Sequence, residues 1–492
     1  SLPALQVGDF VEIDYLHGRP GDGGVATRRW YFQAPGSAVF HSLYSVAHPV
    51  GVDAAVDVHG AVPSATEWTE DGYRVRRWEQ QRAPMAVPEA HAPPIDEQVP
   101  FVQVGFGESW RRHRDLLRCA LQEAALPGPD LEAYLDEILA GVEGERNRIE
   151  KVFRSVCSHV RLAGPADAFD QPASHVLARR EGNRLTLLAS LLGILGRQPQ
   201  VYLARTTSSS REAYRFPNRE VFAHGLIAVT LAGGERLWMD PGGRHHAFGV
   251  LYPYLRGEKA LRVTSPAGSD PFERLPQQHD LALGKHIVLR LSLAADGTLR
   301  GEGRESMHTA QAARYRALLG SMSPAQRRQV MQTGLGNYFS GAILEEHGIE
   351  ALDDPELPLV LRYRLRVPEF APRRNGALVI PGGFYPYRLG PSLITTPERT
   401  LPLLLEDETR SNSRVVVELP PGARVQPPAP LDLEAPLSTF SYRVRMEQDR
   451  LVIEKSLRVR AGRVSPEDYP AFRDFCAQVD RTDAAEIRVE LP

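Results

Sequence analysis

"SHVLARREGNRLTLLASLLGILG", Ser174–Gly196, decides how this chain is read. A polar, arginine-rich loop runs into "LTLLASLLGIL", an almost continuous apolar stretch long enough for a buried helix. A helix N-terminus reached by such a loop is a good place to present a nucleophile, because unpaired backbone N–H groups and the helix dipole stabilise an anion there. Yet the stretch contains no cysteine.

Upstream the period is helical. "SWRRHRDLLRCALQEAA" is followed by "DLEAYLDEILAGVEGERNRIEKVFRSVCSHVRL", with Leu131, Leu135, Ile138, Leu139 and Val142, then Ile149, Val152, Phe153, Val156 and Val160, at spacings of three and four. Downstream the pattern turns to strands: "QPQVYLARTT", "AHGLIAVTL" and "ERLWMDP". A helical half feeding an antiparallel sheet predicts an α+β core over residues 106–263. Residues 1–105 carry short alternating segments between Gly/Asp/Pro turns and predict a β-sandwich-like domain. It ends in a stretch punctuated by Pro84, Pro88, Pro93, Pro94 and Pro100, which can sustain neither a full ladder nor a helix and reads as a surface strap. The aromatics Trp30, Tyr31, Trp68 and Trp78 read as core or cross-strand pairs. "TSPAGSDPFERLPQQ" reads as a second linker. Residues 264–492 predict a β-rich domain with a helical insert near 308–350, and a last helix opened by a Ser465-x-x-Asp468 cap. The whole is a multidomain α+β chain. Because "LPALQVGDFVEIDYL" already reads as strand, the chain is expected to be a processed or truncated piece of a longer protein, from which an upstream signal or anchor could have been lost.

Composition excludes more than it selects. A net charge of −3 among 492 residues gives no ground for nucleic-acid or anionic-membrane binding. Only four of the 58 basic residues are lysine (Lys151, Lys259, Lys285, Lys455); with abundant Ala, Gly and Pro, this bias suggests a GC-rich bacterial genome. No apolar run reaches the span of a membrane. Cys119, Cys157 and Cys476 lie among apolar residues at helical spacing and are expected to be buried. No cysteine or histidine cluster has zinc spacing, and "LAGGE" and "GDGG" are turn glycines, not a nucleotide loop. No cofactor and no metal are expected.

His224 opens one strand and Asp240 closes the next, a placement that suits a base and its orienting carboxylate. The hairpin register between them is open. A two-residue Gly233-Gly234 turn would set Asp240 opposite Ile227 and put His224 on the other face, whereas a three- or five-residue turn with a glycine bulge makes them diagonal neighbours.

On these residues the chain resembles bacterial transglutaminase-like proteins, the papain-related fold with a Cys–His–Asp triad. The flanks resemble the domains of unknown function that bracket such cores, through "LPALQVGDFVEIDYL", "YRVRRWEQQRAPMAVPEAHAPP" and "VQVGFGESW" in front, and "VVVELPPGARV" and "SPEDYPAFRDF" behind. In active members a "GDCKDKA"-like turn precedes a helix like "TLLASLLGILG". Carried over, the resemblance places the family histidine on His224, the "D-P" aspartate on Asp240 and the cysteine position on Glu181, a poor acyl acceptor. It implies a catalytically degenerate protein that binds a protein or peptide partner, outside the cytoplasm of a bacterium, in the periplasm or at the cell surface. The alternative is an acyl-transfer or peptide-hydrolase enzyme using His224 and Asp240 with another nucleophile, such as Cys157, Thr186 or Ser190. Glu181 could also serve as general acid/base, or bind a metal with His224, Asp240 and His245 or His246. "GGRHHAFG" reads more simply as a loop with solvated imidazoles, and Arg179, Arg180 and Arg184 as surface charge or partners of Glu181 rather than an anion site. Nothing in the sequence fixes the oligomeric state.

Overall fold

The computed structural model describes residues 25–277 and 284–492 of a multidomain α+β protein. The expected strand "DFVEIDYL" lies outside these residues. Near the N-terminus, β1 (Val39–Pro49), β2 (Ala55–His59), β3 (Thr66–Glu70), β4 (Tyr73–Ala83) and β5 (Phe101–Phe106) divide into two sheets. One has the order β1-β4-β3; in the other, β5 pairs with β2 and with the short strands Val25–Ala26 and Trp30–Tyr31. Phe32, Val46, Trp78, Val102 and Val104 form the core of this part, and the expected aromatic pairs are present as the Trp30–Tyr44 and Tyr44–Trp78 stacks.

Five helices follow: α1 (Trp110–Ala124), α2 (Pro129–Leu139), α3 (Glu145–His159), α4 (Ala173–Arg179) and α5 (Arg184–Ile194). The apolar run of α5 is explained by burial on every side, since its residues from Arg184 to Leu192 are all buried. The helices pack on a five-stranded antiparallel sheet of β6 (Gln200–Ala204), β7 (His224–Thr230), β8 (Arg236–Met239), β9 (Lys259–Arg262) and β10 (Phe272–Arg274), in the order β8-β7-β6-β9-β10. Alternation splits the strands cleanly. Val201, Leu203, Ile227, Val229, Leu237 and Met239 join the helical core. Tyr202, Ala204, Leu226, Ala228 and Trp238 face a second core, closed by the segment that carries Ala247, Leu251, Tyr252 and Leu255.

The C-terminal part is built on an eight-stranded sheet. Its strands are β11 (Lys285–Leu293), β12 (Leu299–Met307), β13 (Ile343–Glu350), β14 (Leu359–Val367), β15 (Thr409–Glu418), β16 (Leu431–Ala435), β17 (Ser438–Glu447) and β18 (Arg450–Val459). The order is β13-β14-β12-β11-β15-β18-β17-β16, with β11 and β15 the parallel pair. Helices α6 (Thr309–Gly320), α7 (Pro324–Tyr338) and α8 (Tyr469–Ala484) contribute to the core on one face. The other face shows charged residues at alternate positions of β12 (Arg300, Glu302, Arg304) and β14 (Arg362, Arg364, Arg366) and a mixed set on β11 (His286, Val288, Arg290, Ser292).

Four sequence expectations need correction. Cys119 is exposed, because the inward face of α1 is set by Leu117 and Leu121 and the residue midway between them points away. The second linker contains β10, which adds the edge strand of the core sheet, and Phe272 packs against Trp110 and Phe222. The helical insert stops at Tyr338, after which residues 343–350 pair as β13. Ser465 Oγ accepts the Asp468 N–H one turn before α8 begins, so it caps a preceding turn rather than the helix.

Candidate functional site

The β7–β8 hairpin chooses between the two registers. Leu231 donates to the Glu235 carbonyl, and Ala232, Gly233 and Gly234 form a three-residue turn closed by Gly234 at φ +84°. Only the third turn residue needs the left-handed conformation, which glycine supplies. Ile227 then pairs with Met239, so one step further Asp240 stands opposite Leu226, diagonal to His224. The diagonal is short enough to bond, with His224 Nε2 2.9 Å from Asp240 Oδ2.

Asp240 is fully buried and heavily supported. Oδ1 accepts the Gly242 N–H at 2.9 Å, the Tyr254 hydroxyl donates to Oδ2 at 3.4 Å, and His246 Nδ1 lies 3.2 Å from Oδ2. Burial opposes its charge, but the charges of His224 and His246 and the hydrogen bond with His224 hold the carboxyl well below the usual range. Burial likewise opposes a charged His224, yet the Asp240 carboxylate lifts this imidazole above its ordinary pKa. With Nε2 engaged, Nδ1 is the ring nitrogen left for a ligand. The sequence offered His246 only as an alternative metal ligand beside His224 and Asp240, and did not lead to Tyr254. The expectation of solvated imidazoles in "GGRHHAFG" fails for His246, whose side chain is only 17% exposed because the loop after Asp240 folds back over the second face of the sheet.

The helix N-terminus is organised differently from a nucleophile loop. Asn183 Oδ1 caps α5 by accepting the Leu185 N–H, and its Nδ2 donates to the Ala166 and Ala168 carbonyls, each at 2.9 Å. Arg184 is buried, contrary to its reading as surface charge. Its guanidinium donates to the carbonyls of Val160 (2.9 Å), Pro241 (2.7 Å) and Cys157 (3.1 Å). Leu185 packs against Gly225, where an added Cβ would come within 2.5 Å of Leu185 Cδ1.

Among the described residues Glu181 makes no hydrogen bond or ion pair with His224. It forms a two-residue parallel bridge with Arg161–Leu162, and its carboxylate pairs with Arg161. The Cys157 thiol is buried, and burial pushes it up to about 12. Thr186 Oγ1 is buried without a partner, and Ser190 Oγ reaches the Leu126 carbonyl at 3.5 Å. Among the described residues, no thiol, hydroxyl or Glu181 oxygen hydrogen-bonds His224 apart from the Asp240 pair, and no group of three or more His, Cys, Asp or Glu is arranged to hold a metal ion.

His224 opens onto a cleft of about 370 Å³. One wall is the loop that continues β6, with Thr206 and Ser208–Ser210; the other is the strap at Pro94–Asp96. Asp96 anchors that strap by accepting the hydroxyls of Tyr31 and Tyr214 and pairing with Arg29 at 3.1 Å. The strap is also tied to the C-terminal part. Glu89 pairs with Arg399 at 3.1 Å, and Glu97 with Arg463.

A domain of unknown function with solved structure (DUF3858) matches residues 380–489, well outside this cleft. No curated protein matches the sequence. Among solved structures, the chain is similar to one described as a "putative protease" from Parabacteroides distasonis, with a TM-score of 0.61 and 11% identity over 95% of this chain and 75% of that one. At that identity the likeness shows a shared fold. A "putative cysteine protease" from Cytophaga hutchinsonii aligns over 44% of this chain and 78% of that one at 9% identity; its TM-score of 0.20 carries no argument. The multidomain α+β fold is therefore one found in a protein described as a protease. No helix among the described residues is long and apolar enough to cross a membrane.

Proposed function

We propose that this chain is a catalytically degenerate transglutaminase-like protein, and that it works by binding a protein or peptide segment in the His224 cleft. The observation that carries this reading is the occupied end of α5. At the start of α5 Arg184 is locked onto three carbonyls, and Glu181, which stands at the position carried over for the nucleophile, pairs with Arg161. The His224–Asp240 pair then serves as a charged, hydrogen-bonding floor for a ligand, with Nδ1 as its donor. The front part, the core as far as β10 (Phe272–Arg274) and the C-terminal part act in this reading as a scaffold around the cleft, in the bacterial periplasm or at the cell surface.

One observation favours an active hydrolase instead: Ser208 and Ser209 line the same cleft as His224. A fluorophosphonate probe and an alkylating peptide probe separate the two. The binding reading expects neither to label the native protein at the cleft. It also expects an unstructured peptide library to yield binders whose complexes shift the His224 imidazole resonances. Fluorophosphonate labelling of Ser208 or Ser209, lost in His224→Gln, would establish the hydrolase and sink the binding reading.

A further inference from the structure

The outer face of the eight-stranded sheet holds a trough of about 510 Å³ over β11, β12, β14 and β13, remote in sequence from the His224 cleft. Its floor carries an unusual cross-strand pairing. Arg304 on β12 stands directly opposite Arg362 on β14, and four residues away Arg300 stands opposite Arg366. Directly opposed like charges repel and destabilise a ladder. Glu302 and Glu346 line the same trough, one row along from the Arg304–Arg362 pair. Glu350, Glu346 and Glu345 on edge strand β13 draw Arg362, Arg364 and Arg366 outward, and Glu302 is shared with Arg290 at 3.4 Å. Among the described residues no carboxylate pairs with Arg304. Gly348, opposite Arg362, contributes no side chain, and so leaves the floor open beside that arginine.

We infer that this trough is a binding site for a phosphate group, held between Arg304 and Arg362 with Arg290 at the rim. Opposed strand residues are about 5 Å apart at Cα, and the next outward row is about 7 Å along the strand. Arg304, free of a carboxylate, stands across the ladder from Arg362, so a ligand reaching both needs oxygens in more than one plane and competes with Glu350 for Arg362. A tetrahedral dianion supplies this, while a planar carboxylate satisfies one arginine fork at a time. Val288, directly opposite Arg304 and exposed, adds an apolar neighbour for the carbon frame of a phosphate ester.

The test uses the full chain at low ionic strength, where exposed charge acts most strongly. Calorimetric titration with inorganic pyrophosphate is expected to show saturable binding, weakened at least about tenfold in Arg304→Gln, as for loss of a charge-assisted contact. Arg445→Gln, on the same face but paired with Glu454 and Glu447, is expected to bind as the unaltered chain does. Co-sedimentation with phosphatidylcholine vesicles containing phosphatidic acid separates the two sources. Arg304-dependent retention on vesicles, with little pyrophosphate binding, assigns a lipid headgroup; the reverse assigns a soluble phosphate compound. Arg304 is exposed, so matched thermal melts show that the variant is folded. Binding of neither probe, or equal weakening by Arg304→Gln and Arg445→Gln, overturns the inference.

Discussion

Arg184 and Pro241 are joined by a 2.7 Å hydrogen bond, from Nη1 to the carbonyl, which ties the start of α5 to the residue just after Asp240. The same guanidinium holds the Val160 and Cys157 carbonyls at the end of α3. Three chain segments therefore share one buried cation. Arg184→Met would strand those carbonyls in a dry interior and is expected to destabilise the protein by on the order of 3 kcal/mol. Arg179→Ala, at an exposed position, should change stability by less than about 0.5 kcal/mol. Urea denaturation of both variants checks the contrast.

The His224–Asp240 pair makes a signed prediction about pH. Asp240 is depressed from its ordinary 3.8, so its share of stability is present above that value and is lost as pH falls through the folded pKa. His224 is raised from 6.5, so its share is complete below that value and disappears as pH rises through the folded pKa. The stability difference between the unaltered chain and His224→Gln should thus be largest between about pH 4 and 6.5, and shrink on either side. A difference that grows steadily toward pH 9 would contradict the assignment.

The hairpin turn separates two adjacent glycines. Gly234 has φ +84°, whereas Gly233 stands in ordinary backbone with open space around it. Gly234→Val is expected to cost about 1–2 kcal/mol, and Gly233→Ala less than about 0.5 kcal/mol. Equal effects would mean that the turn is not the three-residue form that aligns Asp240 with His224.

Thiol reactivity should follow burial. Cys119 is exposed, while burial pushes both Cys157 and Cys476 up to about 12. Under native conditions a disulfide reagent near pH 8 should titrate one thiol quickly, with the other two appearing only on unfolding. Fast native modification of Cys157 would reopen it as a nucleophile.

Much of the core was legible because its signals are local. The apolar run of α5 and the glycine-closed hairpin each depend on residues close in sequence. His224 and Asp240 could be paired from the strands alone, apart from a register that the short turn left open. What the sequence missed, or left as one alternative among several, depends on distant packing. His246 and Tyr254 reach Asp240 only because the chain after it folds back across the sheet. Arg184 looked like one of several surface arginines, since nothing nearby in sequence announces three waiting carbonyls. Cys119 was misplaced for a simpler reason. "LLRCALQ" is apolar on both sides, and only the buried Leu117–Leu121 spacing shows which side faces inward.

The strap beside His224 is fastened by partners synthesised long after it. Glu97 is clamped by Arg463, 366 positions later, and Glu89 by Arg399 and Thr400. At roughly 5–20 residues per second, that delay is on the order of 20–70 seconds. In the later part of that delay, once Asp240 has been made, the strap is held through Asp96 to Arg29, Tyr31 and Tyr214 but not yet by the C-terminal part. Birth order thus makes the cleft one of the later features of the molecule to be finished, and a ribosome halted before Arg463 would release a protein with a loosened doorway.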